Sequence, residues 1–330
     1  MRKVLLATTA LVALGGVSAA TADVSVSGSG TWNYRSWSDK HNETTAAGDD
    51  TSTSVSTSFT ISGATTADSG MEFGGSHTIT DGSANGASLY ISDDWGKITM
   101  GGASAGRANN SFFKNTAASG GTGDMGTAAT SGLVMSGVME NTRIGGAGGG
   151  MLNYTSPSVN GIVVAASMKD AGADNASHGD ETAWSISYDT DVSGIAVGVD
   201  YSSVSVDAAP GAATTDKTSM GLTAAMGDIT VMVASASSEN STGTTKIDTT
   251  DYGIKYAVNS ELTVEAGALT SENDVTNGAK HNKTHIGVSY VPAAGLELEA
   301  SNTSFDYTAA GAGSTKDDGS ETRVSVKVTF

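Results

Sequence analysis

The chain alternates. Along most of its length an apolar residue recurs at every second position, with Ser, Thr, Gly or a charged residue between, which is the period of an extended strand with one oily and one polar face. The last ten residues, ETRVSVKVTF, show this most plainly: Val324, Val326, Val328 and Phe330 share one face, and Arg323, Ser325, Lys327 and Thr329 the other. An aromatic that also carries a terminal carboxylate is expected where oil meets water, so the apolar face is expected to meet lipid.

The same beat places the other strands. The first is expected from Val24 to about Arg35, with Trp32 and Tyr34 outward and Asn33 and Arg35 inward, followed by an acidic polar loop from Ser36 to Thr51. Val55, Phe59 and Ile61 mark a second strand, and Met71, Phe73 and Ile79 a third after a turn at Gly63 to Gly70. Leu89 and Ile91, then Ile98 and Met100, mark two more around a tight turn at Asp93 to Gly96. After a long gap the beat resumes at Leu152 and continues to Phe330, giving 16 segments in all. Connections alternate between short ones and longer acidic ones, as in barrels with short periplasmic turns and long external loops, and an even strand count returns both termini to the periplasmic side. Tyr154, Tyr188, Tyr256, Tyr290 and Phe330 fall at one set of strand ends, Trp32, Tyr34, Trp184, Tyr201 and Tyr252 near the other, as two interfacial girdles would require. His77 shares the outward parity of Ile79; with the small outward residues near it, it suggests that the first strands face protein.

Composition agrees with strands and turns: 43 Gly and 3 Pro, with no Cys for disulfide or thiolate chemistry. Residues 1–22 read as an export signal: Arg2 and Lys3, an apolar run from Val4 to Val17 too short to span a bilayer as a helix, and small residues for cleavage after Ala22. Domain organisation is then a signal peptide over 1–22 and one barrel over 23–330. Without Arg2 and Lys3, 15 basic residues face 35 acidic ones, a net charge of −20, which excludes nucleic acid as a partner.

Two stretches carry a family resemblance. The C-terminal strand resembles that of Gram-negative outer-membrane barrels, which implies that Phe330 is an assembly signal read by the barrel-assembly machinery. The segment ASLYISDDWGKITMGG and the Gly-rich stretch behind it resemble general porins, in particular those of alphaproteobacteria. The resemblance implies an all-β fold, a 16-stranded antiparallel transmembrane barrel in the outer membrane, assembled as a homotrimer, whose long third loop (about 103–149) folds into the lumen as the constriction. It also implies that Asp124 and Glu140 are the loop acids and Arg35, Lys97, Arg323 and Lys327 the facing wall cations. The loop further carries Arg107, Lys114 and Arg143, a departure from a purely acidic eyelet.

No catalytic site emerges. Gly102 to Gly106 matches G-x-S-x-G but opens a Gly-rich loop in an all-β chain, where no strand–turn–helix elbow is expected. His281 and His285 are four apart with no third ligand at a recognisable distance and read as solvated loop histidines. Asp49-Asp50 and Asp317-Asp318 offer oxygens of the kind Ca²⁺ takes, though solvated surface charge is the plainer reading; no cofactor or other metal is expected.

What remains is charge inside the barrel. By parity the inward cations are Arg35, Lys97, Lys255, Arg323 and Lys327, and the inward anions Glu72, Asp200, Glu261, Glu265, Glu297 and Glu299. Such a set needs water, which a 16-stranded barrel encloses and an 8-stranded one does not. Each charge either shapes the pore's field or stiffens the wall through a salt bridge. The sequence therefore reads as a passive diffusion pore for ions and small hydrophilic solutes. A mild cation preference is expected, with Asp49, Asp50, Asp170, Asp174, Asp180, Glu181, Asp317 and Asp318 lining an acidic mouth. The alternatives are a non-conducting surface barrel serving adhesion or envelope structure, and a secreted acidic β-rich adhesin.

Overall fold

The computed structural model describes residues 23–38, 50–81, 83–101, 151–170, 180–207, 213–244, 246–275, 279–308 and 316–330. The signal segment, Asp49, Asp174 and the loop residues Arg107, Lys114, Asp124, Glu140 and Arg143 lie outside them.

Sixteen strands follow one another around a closed antiparallel barrel. They are β1 Asp23–Trp37, β2 Asp50–Thr66, β3 Glu72–Thr80, β4 Ser83–Asp93, β5 Gly96–Met100, β6 Met151–Thr155, β7 Ile162–Lys169 and β8 Glu181–Val192. The second half is β9 Ile195–Val206, β10 Thr215–Met226, β11 Ile229–Asn240, β12 Lys246–Ala257, β13 Leu262–Asn273, β14 Ala279–Ala293, β15 Leu296–Thr308 and β16 Lys316–Thr329. Among the described residues no helix is long and apolar enough to cross a membrane.

Closure follows from the bilayer as solvent: an open edge in hydrocarbon leaves backbone groups unsatisfied at several kcal/mol each. Here β1 pairs with β16 from Ser29↔Thr329 to Trp37↔Glu321, and with β2 on its other side. The sheet has no free edge.

Outward positions carry the exposed apolar side chains: Val24 and Val26 on β1, Phe59 and Ile61 on β2, Val231 and Val233 on β11, Ile254 and Tyr256 on β12. A surface this apolar would be a liability in water; in a bilayer it is the required exterior. Aromatic pairs mark both rims. Trp95 stacks on Tyr154 at the short-turn end, where the Tyr154 hydroxyl donates to the Trp95 carbonyl (2.8 Å), and Trp184 packs against Tyr201 (5.2 Å between centroids) toward the other.

The short turns rely on glycine where φ is positive. At Gly96 (φ 117°) a side chain would run into the Thr155 carbonyl of the neighbouring strand, so both conformation and space exclude one.

Three expectations need correction. Gly63 to Thr66 continue β2, and the turn is confined to Ala67–Met71, closed by the Ala67 amide donating to the Met71 carbonyl (2.8 Å). The small residues there read as a turn because Gly marks turns statistically, but cross-strand pairing of Gly63 with Gly75 holds them extended. Glu261 sits in the turn before β13, where the Asn259 side chain accepts from its amide (2.8 Å), so it is not part of the lumen wall. His281 and His285 are buried inward residues of β14, not solvated loop histidines: the beat of Ile286 and Val288 extends back through them.

Candidate functional site, the charged lumen

Inward positions alternate with the apolar ones, and the cross-strand register brings their charges side by side. In the last hairpin Glu297 is opposite Lys327, with Lys327 Nζ 3.4 Å from Glu297 Oε2 and the Ser289 hydroxyl donating to Glu297 Oε1 (2.9 Å). One step up, the Ser325 hydroxyl donates to Glu299 (2.8 Å). Above that, Arg323 faces Arg35 across the β16–β1 seam. Like charges directly opposite repel. They are offset here: Arg323 Nε donates to Asn33 Oδ1 (3.1 Å), and Glu299 and Glu321 lie within electrostatic reach of the Arg323 guanidinium.

A second group spans β12 to β15. Glu265 lies between Lys255 Nζ (3.3 Å) and His285 Nε2 (3.1 Å), and His285 Nδ1 is 2.9 Å from the Thr303 hydroxyl. These distances suit an imidazole whose Nε2–H donates to Glu265 and whose Nδ1 accepts from Thr303. His285 reaches diagonally past Gly287, where any Cβ would stand 2.9 Å from its Nε2 and 3.1 Å from Glu265 Oε1. The missing side chain is what permits the contact. Deeper along the same strands Lys283, fully buried, lies within electrostatic reach of Asp251 and Glu321, and His281 stacks on Phe305 (6.4 Å).

On the opposite side of the sequence, Tyr90 donates to Glu72 (2.5 Å) and Lys97 Nζ lies 3.8 Å from the Tyr90 ring centroid, a cation–π contact. Lys169 pairs with the buried Glu181 (3.5 Å), and Asp200 is buried on β9.

Of the wall residues named from sequence, Arg35, Lys97, Lys255, Arg323, Lys327, Glu72, Asp200, Glu265, Glu297 and Glu299 all stand at inward positions. Sequence reasoning missed Lys169, Lys217, Asp251, His281, Lys283, His285 and Glu321, and it placed Glu181 at the mouth, whereas it is a buried inward residue of β8. The signal was present: continuing the two-residue beat outward from Tyr252, Met220, Ile286 and Val324 reaches these side chains. The apolar residues used to find strands simply end sooner than the strands do. Inward acids (Glu72, Glu181, Asp189, Asp200, Asp251, Glu265, Glu297, Glu299, Glu321) outnumber inward cations (Arg35, Lys97, Lys169, Lys217, Lys255, Lys283, Arg323, Lys327) nine to eight among the described residues, before Asp23, Asp50, Asp191 and Asp317 at the strand ends are counted. Acids stay in slight excess, with a different membership from the six acids and five cations read from the sequence. Asp50 and Asp317 fall at the ends of β2 and β16.

Among the described residues no group of three His, Asp or Glu side chains is placed to hold a metal ion.

Known proteins of the same architecture place the barrel. An anion-selective porin from Comamonas acidovorans superposes with a TM-score of 0.66 at 13% identity, covering 94% of this chain and 100% of that one. OmpT of Vibrio cholerae in its trimer form gives 0.63 at 12% identity over 94% and 99%, and a mutant Rh. blastica porin 0.59 at 18% over 93% and 100%. No curated protein matches by sequence. The family model described as Gram-negative porin matches residues 7–310, and the chain therefore belongs to the Gram-negative porin family.

Proposed function

We propose that this porin is a passive outer-membrane diffusion channel for ions and small hydrophilic solutes, mildly cation-preferring, working as a homotrimer after cleavage of the export signal behind Ala22. The observation that carries the channel reading is the pairing of an apolar exterior with an interior ring of ionised side chains, which only a water-filled lumen tolerates.

With the wall acids only slightly in excess, ion preference falls mainly to the mouth and the loop. The mature charge of −20 makes the mouth acidic. At physiological salt, with a Debye length of about 8 Å, distant mouth charges are largely screened, so the preference is mild and grows on dilution. The 103–149 segment is proposed to narrow the lumen, with Asp124 and Glu140 against Arg107, Lys114 and Arg143 tuning its field. That the Comamonas protein is anion-selective on the same fold agrees with a preference set by such local charges rather than by architecture.

The trimer reading is supported by the Vibrio trimer and by the outer face of the first strands. His77 is exposed there beside Ile61 and Ala87, where a neighbouring protomer supplies a polar partner and lipid does not. The periplasmic Phe330 is proposed as the assembly signal.

Planar-bilayer recording tests the reading: stepwise openings with a reversal potential on the cation side of a KCl gradient are expected. Silence from folded protein overturns the channel, and a clear anion preference overturns the charge assignment alone.

A further inference from the structure

One sector of the lumen wall is chemically unlike the rest. The inward face of β2 reads Ser52, Ser54, Ser56, Ser58, Thr60 and Ser62, hydroxyl after hydroxyl. Its neighbours match it in register: Ser62 stands between Ser25 and Ser76, Thr60 between Ser27 and Thr78, Ser58 between Ser29 and Thr80. Between Glu72 below and Arg35 above, the charges on this face are confined to its two ends, Asp23 at the start of β1 and Asp81 in the connection after β3, which accepts from the Ser56 hydroxyl (2.9 Å). Ser58, Thr60, Ser62 and their partners stand between them. The densest set of ionised groups lies on β12 to β16, with Glu265, Lys283, Glu297, Glu299, Arg323 and Lys327 among them.

From this we infer that the hydroxyl wall is a low-affinity path for neutral polyhydroxylated solutes, sugars and polyols of a few carbons, favouring them over neutral solutes of the same size without hydroxyls. The inference rests on the channel reading above and specifies its solutes.

The argument is one of matched hydrogen bonding. A solute entering a narrow lumen sheds part of its hydration, and only partners that both donate and accept replace water in kind. A Ser or Thr hydroxyl does both, as does every hydroxyl of a polyol; an ammonium only donates and a carboxylate only accepts. Geometry adds to this. Inward positions recur every ~6.7 Å along a strand and every ~4.8 Å between strands, so a sugar-sized molecule meets neighbouring hydroxyls wherever it lies on the grid. Many equivalent weak contacts let it move on, which transport requires.

The grid ends in a recess of about 400 Å³ at the periplasmic end of the wall, lined by Ser25, Ser62, Ser76 and Ser88 together with Tyr90 and the charged Asp23 and Lys97. That volume is within the ~300–1,000 Å³ of small-molecule sites. Gly74 shapes it: a Cβ there would stand 2.9 Å from the Tyr90 ring, which lies against the bare backbone.

The test uses full-length protein in vesicles. Swelling rates are compared for a five-carbon polyol and a neutral amide of equal hydrodynamic radius lacking hydroxyls, with KCl conductance of each preparation counting inserted pores. In the variant Ser54→Ala/Ser58→Ala/Ser62→Ala the polyol-to-amide ratio is expected to fall about three-fold, the effect of losing a few net-weak hydrogen bonds. The corresponding threonine variant keeps the hydroxyls and should hold the wild-type ratio. Should the β2 variant fail to insert, Ser27→Ala/Ser29→Ala on β1 carries the same expectation. A ratio unmoved by alanine, or moved equally by threonine, overturns the hydroxyl path while leaving the pore intact. Wild-type protein that does not conduct overturns the channel reading instead.

Discussion

Gly28 and Phe330 close the barrel. The Gly28 amide donates to a Phe330 carboxylate oxygen (2.8 Å), the Phe330 amide returns a bond to the Gly28 carbonyl (2.9 Å), and the Phe330 ring lies over the place a Gly28 side chain would fill. An added Cβ would stand 2.5 Å from ring atom Cε2. The ring also meets Phe59 edge-on, with centroids 5.8 Å apart.

That arrangement separates two glycines. At Gly28 the obstacle is the end of a rotatable side chain, so Gly28→Ala should swing the Phe330 ring aside at a cost below about 1 kcal/mol. At Gly74 a Cβ meets the Gly63 carbonyl and the Ala64 Cα, which are backbone, and β2 and β3 must part. Gly74→Ala is expected to cost about 1–3 kcal/mol. Urea unfolding in detergent measures both, and equal effects would show that the seam is as rigid as the sheet.

Lys327 and Glu297 answer a different question. Their pair is direct, yet 47% and 30% of the two side chains remain exposed, so screening leaves it little to contribute. Lys327→Ala should change unfolding by less than about 0.5 kcal/mol. Its effect belongs in the field of the pore: removing the cation frees the Glu297 charge and should move the reversal potential toward cations. A destabilised barrel with unmoved reversal potential would reverse that assignment.

Asp81, in the connection after β3, holds the turn against β2. Its carboxylate accepts the Thr57 amide (2.6 Å) and the Ser56 hydroxyl (2.9 Å), and the Thr57 amide bond, the larger influence, holds its pKa below the usual carboxylate value. For a depressed acid the contribution is present above the unfolded pKa, ~3.9 for Asp, and is lost as pH falls through the lower folded value. Protection of the Thr57 amide from hydrogen exchange should therefore survive at pH 5 and weaken below about pH 4. In Asp81→Asn, protection should no longer vary across that acidic range; a pH dependence that persists would assign it to another group.

How far the sequence could be read depends on which residues carried the beat. Val324, Val326 and Val328 located β16, and Leu296 and Leu298 beside them gave its register with β15, because a slip by one would put Lys327 into lipid. The same logic failed at β14. There the outer half reads Ala279, Lys280, His281, Asn282, Lys283, with no apolar residue to mark the outward face, and so looks like a polar loop. Lys280 and Asn282 are the outward members of that stretch, above the apolar band. Strands that continue past the hydrocarbon lose the oily half of their pattern while keeping their pairing, and Glu181, His281, Lys283 and Glu321 sit in those extensions.

Glu265 tests whether the described wall sets ion preference. It has two polar neighbours, Lys255 Nζ at 3.3 Å and His285 Nε2 at 3.1 Å, and the side chains are 26%, 0% and 11% exposed for Lys255, His285 and Glu265. Charges so placed are screened far less than those at the mouth, so their effect should persist in concentrated salt, where a mouth effect fades. Lys255→Ala leaves the carboxylate with one neighbour fewer and should shift the reversal potential toward cations; Glu265→Gln leaves Lys255 unopposed and should shift it toward anions. The two residues touch, so the double variant should fall near the wild type rather than at the sum of two separate effects. Gly287→Ala adds an independent check, because its Cβ enters the space between His285 and Glu265 without changing any charge. It should loosen that contact and move the potential in the cation direction by less than Lys255→Ala does. Shifts of the same sign in Lys255→Ala and Glu265→Gln, or none in either at any salt, would remove this cluster from the field that ions feel and leave selectivity to the mouth and the loop.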